Sequence, residues 1–171
     1  MTLLNVRRAN PGDAVDIAKT QIGSWRTTYK GIVSDEYLDS MSVEDRTEMW
    51  QQAIRQSKVY VLEEDSGATV GFAAGGAHNS TKFEDYDSEL YAMYLYKDSQ
   101  RIGGGKKLFN TVIADLVEKG HKNMLLGVLA DNPACAFYEH MGGTVIGEET
   151  VEIGDEKHKE VYYGWKDIDK K

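Results

Sequence analysis

The stretch ELYAMYLYKDSQRIGGGKKLF, residues 89–109, joins an apolar run to three consecutive glycines and two lysines. The first eight residues are apolar or aromatic at nearly every position, which is typical of a central strand buried on both faces. After the glycines, Leu108, Val112 and Leu116 recur at helical spacing as far as Gly120. This pattern predicts a helix that ends at that glycine. The three glycines therefore lie at a strand-to-helix junction.

A glycine-rich junction of this kind is suited to bind an anion. The first turn of a helix has unpaired N–H groups and the positive end of the macrodipole, and glycines let a phosphate approach the backbone. Lys106 adds positive charge. The alternative is a plain tight turn with solvated lysines, which a single glycine would favour. The Walker pattern needs Ser or Thr where Lys107 stands, and the dinucleotide fingerprint needs glycine where Leu108 stands, so neither nucleotide motif is matched well.

The pattern on either side of this junction predicts a mixed α/β domain. A first strand at residues 3–9 precedes helices at 10–25 and 42–56, with an irregular or short helical connection at 31–41. Two strands at residues 59–78 come before the central strand. The junction helix is followed by a strand, a short helix and two final strands that turn near Gly154 and Asp155.

Length and composition exclude several classes of protein. A chain of 171 residues fits one domain, residues 1–171, and a net charge of −8 argues against a nucleic-acid partner. The N-terminal stretch carries no apolar run typical of a signal peptide, and no stretch is long enough to span a bilayer, so we expect a cytoplasmic protein. A lone cysteine forms no intramolecular disulfide. No metal is predicted, because the four histidines lack metal-ligand spacing: His78, His121, His140 and His158.

Two motifs in this order resemble the GNAT superfamily of N-acetyltransferases. Its acyl-CoA-binding motif, Gln/Arg-x-x-Gly-x-Gly/Ala, is met by Gln100, Gly103 and Gly105. The stretch DNPACAFYEHMGG, residues 131–143, resembles the next motif of the family, an Asn before a helix that carries a Tyr. Residues 25–41 are similar to the substrate-side helices of one bacterial branch. The resemblance covers nearly the whole chain and implies a GNAT-like α/β (mixed α+β) fold, a single mixed sheet of about seven strands flanked by about four helices.

The resemblance also implies roles for individual residues. The strand end would pair its backbone with the pantetheine arm of acetyl-CoA, Asn132 would contact that arm or hold the strand ends apart, and Tyr138 would protonate the departing thiolate. Gly104 departs from the family pattern, because many members have Ile or Leu there, and Asn132 is one residue closer to Tyr138 than in many members. The cofactor-binding residues implied at the strand end and in the pyrophosphate loop are Met93, Tyr94, Leu95, Arg101, Ile102, Gly103, Gly104, Gly105 and Lys106.

The chemistry of acetyl transfer asks for the same parts. An amine attacks a thioester carbonyl, and a backbone N–H near residues 93–95 can stabilise the developing oxyanion. Tyr138 can supply a proton to the thiolate, although a Tyr on an apolar helix face is often core packing. An alkylamine with a pKa of about 10.4 must first lose a proton. Glu89, the only charged residue of the central strand, could accept it through water, or could cap the strand or pair with a neighbouring base. Cys135 lacks a His–Asp partner and is predicted to be a small buried residue.

The acceptor side is indicated by aromatic and acidic residues. Trp25 and Tyr29 share a helical face and either line an amine pocket or belong to the core. The connection before the central strand is acidic and either attracts cationic amines or is a solvated loop; it carries Glu84, Asp85 and Asp87.

We therefore predict direct acetyl transfer from acetyl-CoA to a primary amine of a small, polyamine-like substrate. A non-catalytic acyl-CoA-binding or sensor module and a nucleotide-binding switch are the alternatives. The sequence leaves the acceptor amine, and the choice between monomer and homodimer, open.

Overall fold

The structure is a computed structural model that describes residues 4–78, 81–100 and 103–169. Two residues of the predicted pyrophosphate loop, Arg101 and Ile102, lie outside the described residues.

The described residues form one mixed sheet of seven strands at the centre of the protein, with the spatial order β1-β2-β3-β4-β5-β7-β6. All neighbouring pairs are antiparallel except β4 and β5, which are parallel. The predicted mixed α/β class and the seven strands are confirmed. The strands are β1 (Leu4–Arg8), β2 (Lys58–Glu64), β3 (Thr69–Ala77), β4 (Ser88–Leu95), β5 (Met124–Leu129), β6 (Thr144–Ile153) and β7 (Glu156–Trp165).

Across residues 4–78, 81–100 and 103–169, five α-helices flank the sheet, against about four predicted. The connection at residues 31–41, predicted to be irregular or a short helix, contains a short helix. No helix in the described part of the chain has both the length and the apolar character needed to cross a membrane. The helices are α1 (Ala14–Thr28), α2 (Asp35–Ser40), α3 (Val43–Gln56), α4 (Gly104–Glu118) and α5 (Ala134–His140).

The helices cover both faces of the sheet, so the molecule has two apolar layers. On one face, α4 buries Leu108, Val112 and Leu116 against the sheet. On the other face, α1 and α3 pack on β2 and β3, and Trp50 of α3 donates its indole N–H to the Gln21 side chain of α1 at 2.8 Å. The α4 positions that recur at helical spacing in the sequence are thus the positions that are buried.

The central strand contains a β-bulge that opens the sheet. Ala92 pairs with Ala74 and Leu90 with Gly75, so Tyr91 has no partner on β3. A bulge bends its strand and increases the local twist. β4 and β5 then pair only at Glu89 and Leu125 and diverge toward their carboxyl ends. The prediction that β4 is buried on both faces is therefore wrong in part, since Tyr91 is 45% exposed.

Candidate active site

Two adjoining cavities lie where β4 and β5 diverge. The aromatic cavity, about 270 Å³, is walled by Trp25, Tyr29 and residues of β4, β5, β6 and β7. The glycine-side cavity, about 450 Å³, is bounded by the end of β4, the start of α4 and the start of α5. The residues that line both cavities mark the point where the two meet, and they are Met93, Tyr94, Asn132 and Tyr138.

The end of β4 directs backbone amides toward this meeting point. The amide of Tyr96 bonds to the carbonyl of Val70 on β3 at 3.0 Å. Because successive residues of a strand direct their amides to opposite sides, the N–H groups of Met93 and Leu95 face away from β3, toward the gap. Gln100 closes the following turn by donating to the Leu95 carbonyl at 3.1 Å. The strand end can therefore pair with an extended ligand or stabilise an oxyanion.

The three glycines at the start of α4 meet three different requirements. Gly103 has a left-handed backbone, φ +84°, which favours glycine. Gly104 is buried, and a Cβ there would lie 2.4 Å from Cδ2 of Leu62. Gly105 lines the glycine-side cavity, and a Cβ there would make only ordinary contact with Phe137 at 3.5 Å.

The first turn of α4 faces the glycine-side cavity. Gly103, Gly105 and Lys106 line that cavity, whereas Gly104 serves packing instead. Gly103 is the N-cap residue of α4, and its carbonyl accepts from the amide of Lys107 at 3.2 Å. The amides before it are those that an anion at a helix N-terminus would accept from.

Asn132 ties the end of β5 to two helices. Its Nδ2 donates to the Tyr29 hydroxyl of α1 at 2.8 Å, and its Oδ1 accepts from the amide of Ala134 at the start of α5 at 2.8 Å. Its own amide bonds to the Leu129 carbonyl. The side-chain oxygen and one amide hydrogen of Asn132 are thus used within the protein, and the residue also lines both cavities. Both predicted roles, contact with the pantetheine arm and holding the strand ends apart, stay predictions.

Tyr138 of α5 is 5% exposed and lines both cavities. Burial, reinforced by Tyr94 and Tyr29, raises the pKa of Tyr138 well above its usual value. The hydroxyl therefore keeps its proton at neutral pH, as a proton donor must. Burial also raises the pKa of the Cys135 thiol one turn away, which argues against a reactive thiolate there.

An aromatic group forms the wall of the aromatic cavity on the α1 side. Trp25 and Tyr29 meet edge to face with ring centroids 4.6 Å apart, and Trp25 also lies near Tyr37 and Tyr94. Tyr29 is buried among apolar residues of α1, α2 and β5. Trp25 and Tyr29 were predicted either to line a pocket or to belong to the core. In the structure both side chains do both, because they pack in a small core and line a cavity.

One buried polar atom of α1 at this cleft, Ser24 Oγ, makes no hydrogen bond with the described residues. Ser24 is 3% exposed and lines the glycine-side cavity, whereas Trp25 lines the aromatic cavity. Buried polar groups in proteins are nearly always bonded. Ser24 is therefore a residue that sequence reasoning missed, and no local pattern distinguishes it from any other helical serine.

The structure separates Glu89, the predicted base, from the cleft. Its Oε1 lies 2.8 Å from Nδ1 of His78, whose Nε2 lies 2.6 Å from the Lys82 carbonyl. Glu89 also occupies the one paired position between β4 and β5, at the closed end of the gap, and it lines neither cavity. The alternative considered from sequence, pairing with a neighbouring base, is what the geometry shows.

The carboxylate that does line the aromatic cavity is Glu160 of β7. It lies far from the predicted motifs in sequence, in the alternating strand KHKEVYY, and only the pairing of β7 with β5 brings it to the cleft. The acidic connection before β4 is exposed, and its members Glu84, Asp85 and Asp87 line neither cavity. Over the described ranges, no group of three or more His, Cys, Asp or Glu side chains is placed to hold a metal ion.

The chain is similar to known proteins in both its sequence and its fold. The model of the family described as FR47-like protein matches residues 70–152. The uncharacterized N-acetyltransferase YuaI of Bacillus subtilis strain 168 is 35% identical over 97% of this chain and 95% of its own length.

Solved structures share the fold at lower identity. The paia N-acetyltransferase of Thermoplasma acidophilum, solved with coenzyme A, superposes with a TM-score of 0.78 at 21% identity, over 96% of this chain and 99% of that one. The yncA protein of Salmonella typhimurium, solved with its cofactor acetyl-CoA, has a TM-score of 0.69 at 22% identity, over 95% and 93% of the two chains.

Proposed function

The chain belongs to the GNAT superfamily of N-acetyltransferases, and from that premise we propose that it transfers the acetyl group of acetyl-CoA directly to the primary amine of a small molecule. Residues 1–171 act as one catalytic domain in this proposal. The observation that carries it is the meeting of the two cavities at Met93 and Tyr138. One cavity offers a helix N-terminus with Lys106 for a pyrophosphate, and the other offers aromatic walls for an acceptor.

The cosubstrate fits the glycine-side cavity on chemical grounds. Its lining combines the amides at the start of α4 with apolar side chains such as Phe137 and Pro133. Pantetheine is an extended amide chain, so it can pair with the outward backbone of Met93 and Leu95 as a strand would. The thioester would then lie at the meeting point of the two cavities.

The transfer step uses groups on the two sides of that point. The acceptor ammonium first loses a proton to solvent. The neutral amine then attacks the thioester carbonyl from the aromatic cavity, the carbonyl oxygen becomes an oxyanion, and the cationic nitrogen of this intermediate releases its second proton to solvent, from which Tyr138 is reprotonated after the transfer. An amide of the β4 end, directed at the gap, donates to that oxyanion. The C–S bond then breaks, and the Tyr138 hydroxyl gives its proton to the departing thiolate.

Replacing Tyr138 by Phe tests the proposal, because the ring is kept and only the hydroxyl is lost. We expect turnover to fall on the order of 10²-fold or more, with coenzyme A binding retained by calorimetry. Tyr163→Phe is the matched control. That tyrosine is 2% exposed, donates to Glu139 at 2.6 Å and lines neither cavity, so its turnover should stay near that of the wild type.

Turnover of Tyr138→Phe at the wild-type rate would show that Tyr138 contributes to packing and is not the proton donor. Binding of acetyl-CoA without turnover of any amine would favour the non-catalytic acyl-CoA-binding or sensor module considered from sequence.

The acceptor is proposed to be cationic, because the aromatic cavity is lined by tyrosines, a tryptophan and one carboxylate, a combination that attracts alkylammonium groups. The cytoplasmic location, the absence of a nucleic-acid partner and the oligomeric state stay predictions.

A further inference from the structure

Glu160 is the only charged side chain among the described residues that line the aromatic cavity. The rest of that lining is aliphatic, aromatic or amide in character. A carboxylate in such surroundings is costly unless it is bonded or paired. The Glu160 carboxylate therefore needs a bonding partner in the cavity.

The carboxylate of Glu160 is held in place by its neighbours on the sheet. The Tyr162 hydroxyl donates to Oε1 of Glu160 at 2.5 Å. On β5, a Cβ built at Gly127 would lie 3.1 Å from the same Oε1, so the missing side chain gives the carboxylate its space. Hydrogen bonds from the protein leave lone pairs of the carboxylate available for a ligand, since an ionised carboxylate accepts about four.

No protein cation is bonded to this carboxylate within the described residues. The ion pairs found there involve other acidic side chains, such as Glu148 with Lys159 at 3.6 Å and Glu149 with Lys82 at 2.7 Å. The one hydrogen bond found to Glu160 comes from a neutral hydroxyl. A cationic ligand is therefore the natural partner.

Glu160 lines the aromatic cavity and not the glycine-side cavity. In the proposed function the thioester and the amine meet at the residues common to both cavities, such as Met93 and Tyr138, and Glu160 is not among them. Resting on the proposed function, we propose that Glu160 is a specificity-determining residue that binds a second, non-reacting ammonium group of a diamine-like acceptor.

The cavity limits the size of that acceptor. About 270 Å³ is below the usual range for drug-sized ligands, so a short aliphatic diamine is the fitting class. Trp25, Tyr29 and Tyr94 provide aromatic faces and an apolar wall along the methylene chain.

The experiment compares two acceptors of equal length, 1,4-diaminobutane and butylamine, in the wild type and in Glu160→Gln. The glutamine keeps the shape of the side chain and a carbonyl oxygen that accepts from Tyr162, so the fold should survive. Glu148→Gln is the matched control, because that exposed residue on β6 loses the same charge without lining either cavity.

In the wild type, kcat/KM for the diamine should exceed that for the monoamine by tenfold or more, as expected for a charge-assisted hydrogen bond. Glu160→Gln should lower kcat/KM for the diamine by tenfold or more and kcat/KM for the monoamine by a clearly smaller factor, so that the preference is lost, with the KM for acetyl-CoA changed by less than about threefold. Glu148→Gln should keep the preference. Calorimetric titration of 1,4-diaminobutane into the coenzyme A complex should show binding to the wild type and at least tenfold weaker binding to Glu160→Gln.

Equal losses for both acceptors in Glu160→Gln would overturn the proposal, because Glu160 would then act on the reacting amine. Equal kcat/KM for both acceptors in the wild type would overturn it as well. The titration measures binding independently of turnover. Diamine binding that depends on Glu160, without any acetyl transfer, would reject the proposed function and keep this binding site. Acetyl transfer with diamine binding that does not depend on Glu160 would reject this binding site and keep the proposed function.

Discussion

Replacing each glycine of the 103–105 triplet by alanine should give three different results. Gly104→Ala adds a methyl group whose carbon would lie 2.4 Å from Leu62 Cδ2 and 3.2 Å from the Cδ atoms of Leu4 and Leu95. All three leucines are core residues, and Leu62 has no exposed surface. Overpacking of this kind costs about 1–3 kcal/mol, and the better helix propensity of alanine returns at most about 1 kcal/mol.

We therefore expect Gly104→Ala to lower the free energy of unfolding by about 1–2 kcal/mol. For a domain of this size that corresponds to a Tm lower by roughly 2–8 °C. Gly105→Ala is the matched control, because its methyl group meets only the Phe137 ring at 3.5 Å and more. Its Tm should be unchanged or higher by roughly 2–4 °C, since the helix gains up to about 1 kcal/mol.

Gly104→Ala should be the less stable of these two variants, but Gly105→Ala should be the one with the weaker affinity for coenzyme A. The Gly105 methyl group would project into the glycine-side cavity, so Gly105→Ala should weaken coenzyme A binding, whereas folded Gly104→Ala should bind nearly as the wild type does. At Gly103, φ +84° makes alanine cost about 1–2 kcal/mol, and asparagine should cost less because it tolerates the left-handed region.

The assay is thermal unfolding of the ligand-free proteins followed by circular dichroism, with calorimetric titration of coenzyme A at a temperature where all variants are folded. A Gly104→Ala protein as stable as the wild type, or a Gly105→Ala protein as destabilised as Gly104→Ala, would refute the reasoning. In either case the packing at the start of α4 would not be what restricts Gly104.

Two further predictions concern buried polar groups. Ser24→Ala should leave the Tm unchanged or raise it, because a buried hydroxyl without a protein hydrogen bond is lost, yet it should raise the KM for acetyl-CoA roughly 3- to 10-fold, because that hydroxyl would bond the cosubstrate. Thr27→Ala is the control, since the Thr27 hydroxyl in the same cavity already donates to the Gly23 carbonyl at 3.0 Å. An equal increase of the KM in both variants would contradict the role of Ser24. For His78, burial opposes the charged form, but the Lys82 carbonyl and the Glu89 carboxylate outweigh it and raise the pKa. A raised pKa means that the stabilisation is complete below the unfolded value of about 6.5 and is lost as pH rises through the folded value. The difference in Tm between the wild type and His78→Asn should therefore be largest near pH 5.5 and shrink above pH 7, and a difference that is constant with pH would show that the His78–Glu89 pair does not contribute through charge.

The local sequence determined the elements of this protein and the chemistry of one cavity. Hydrophobic spacing after Gly105 and the stop at Gly120 depend only on residues within the helix, so the bounds of α4 could be predicted closely. The turns at Gly67 and Gly154 likewise depend on their own backbone conformation. The prediction that residues 103–106 bind an anion depends on their place between a strand and a helix, and the sequence alone shows that place.

Strand pairing across the sheet determined where β4 opens and which carboxylate reaches the cleft. The bulge at Tyr91 is a register shift between β3 and β4, and no pattern within β4 indicates it, so the strand was predicted to be buried where it opens. The same pairing placed Glu89 at the closed end of the gap beside His78, and the pairing of β7 with β5 brought Glu160 to the aromatic cavity. A residue type states what chemistry is available, but which carboxylate faces a cleft depends on strand order and register, since a shift of one residue turns each side chain to the opposite face.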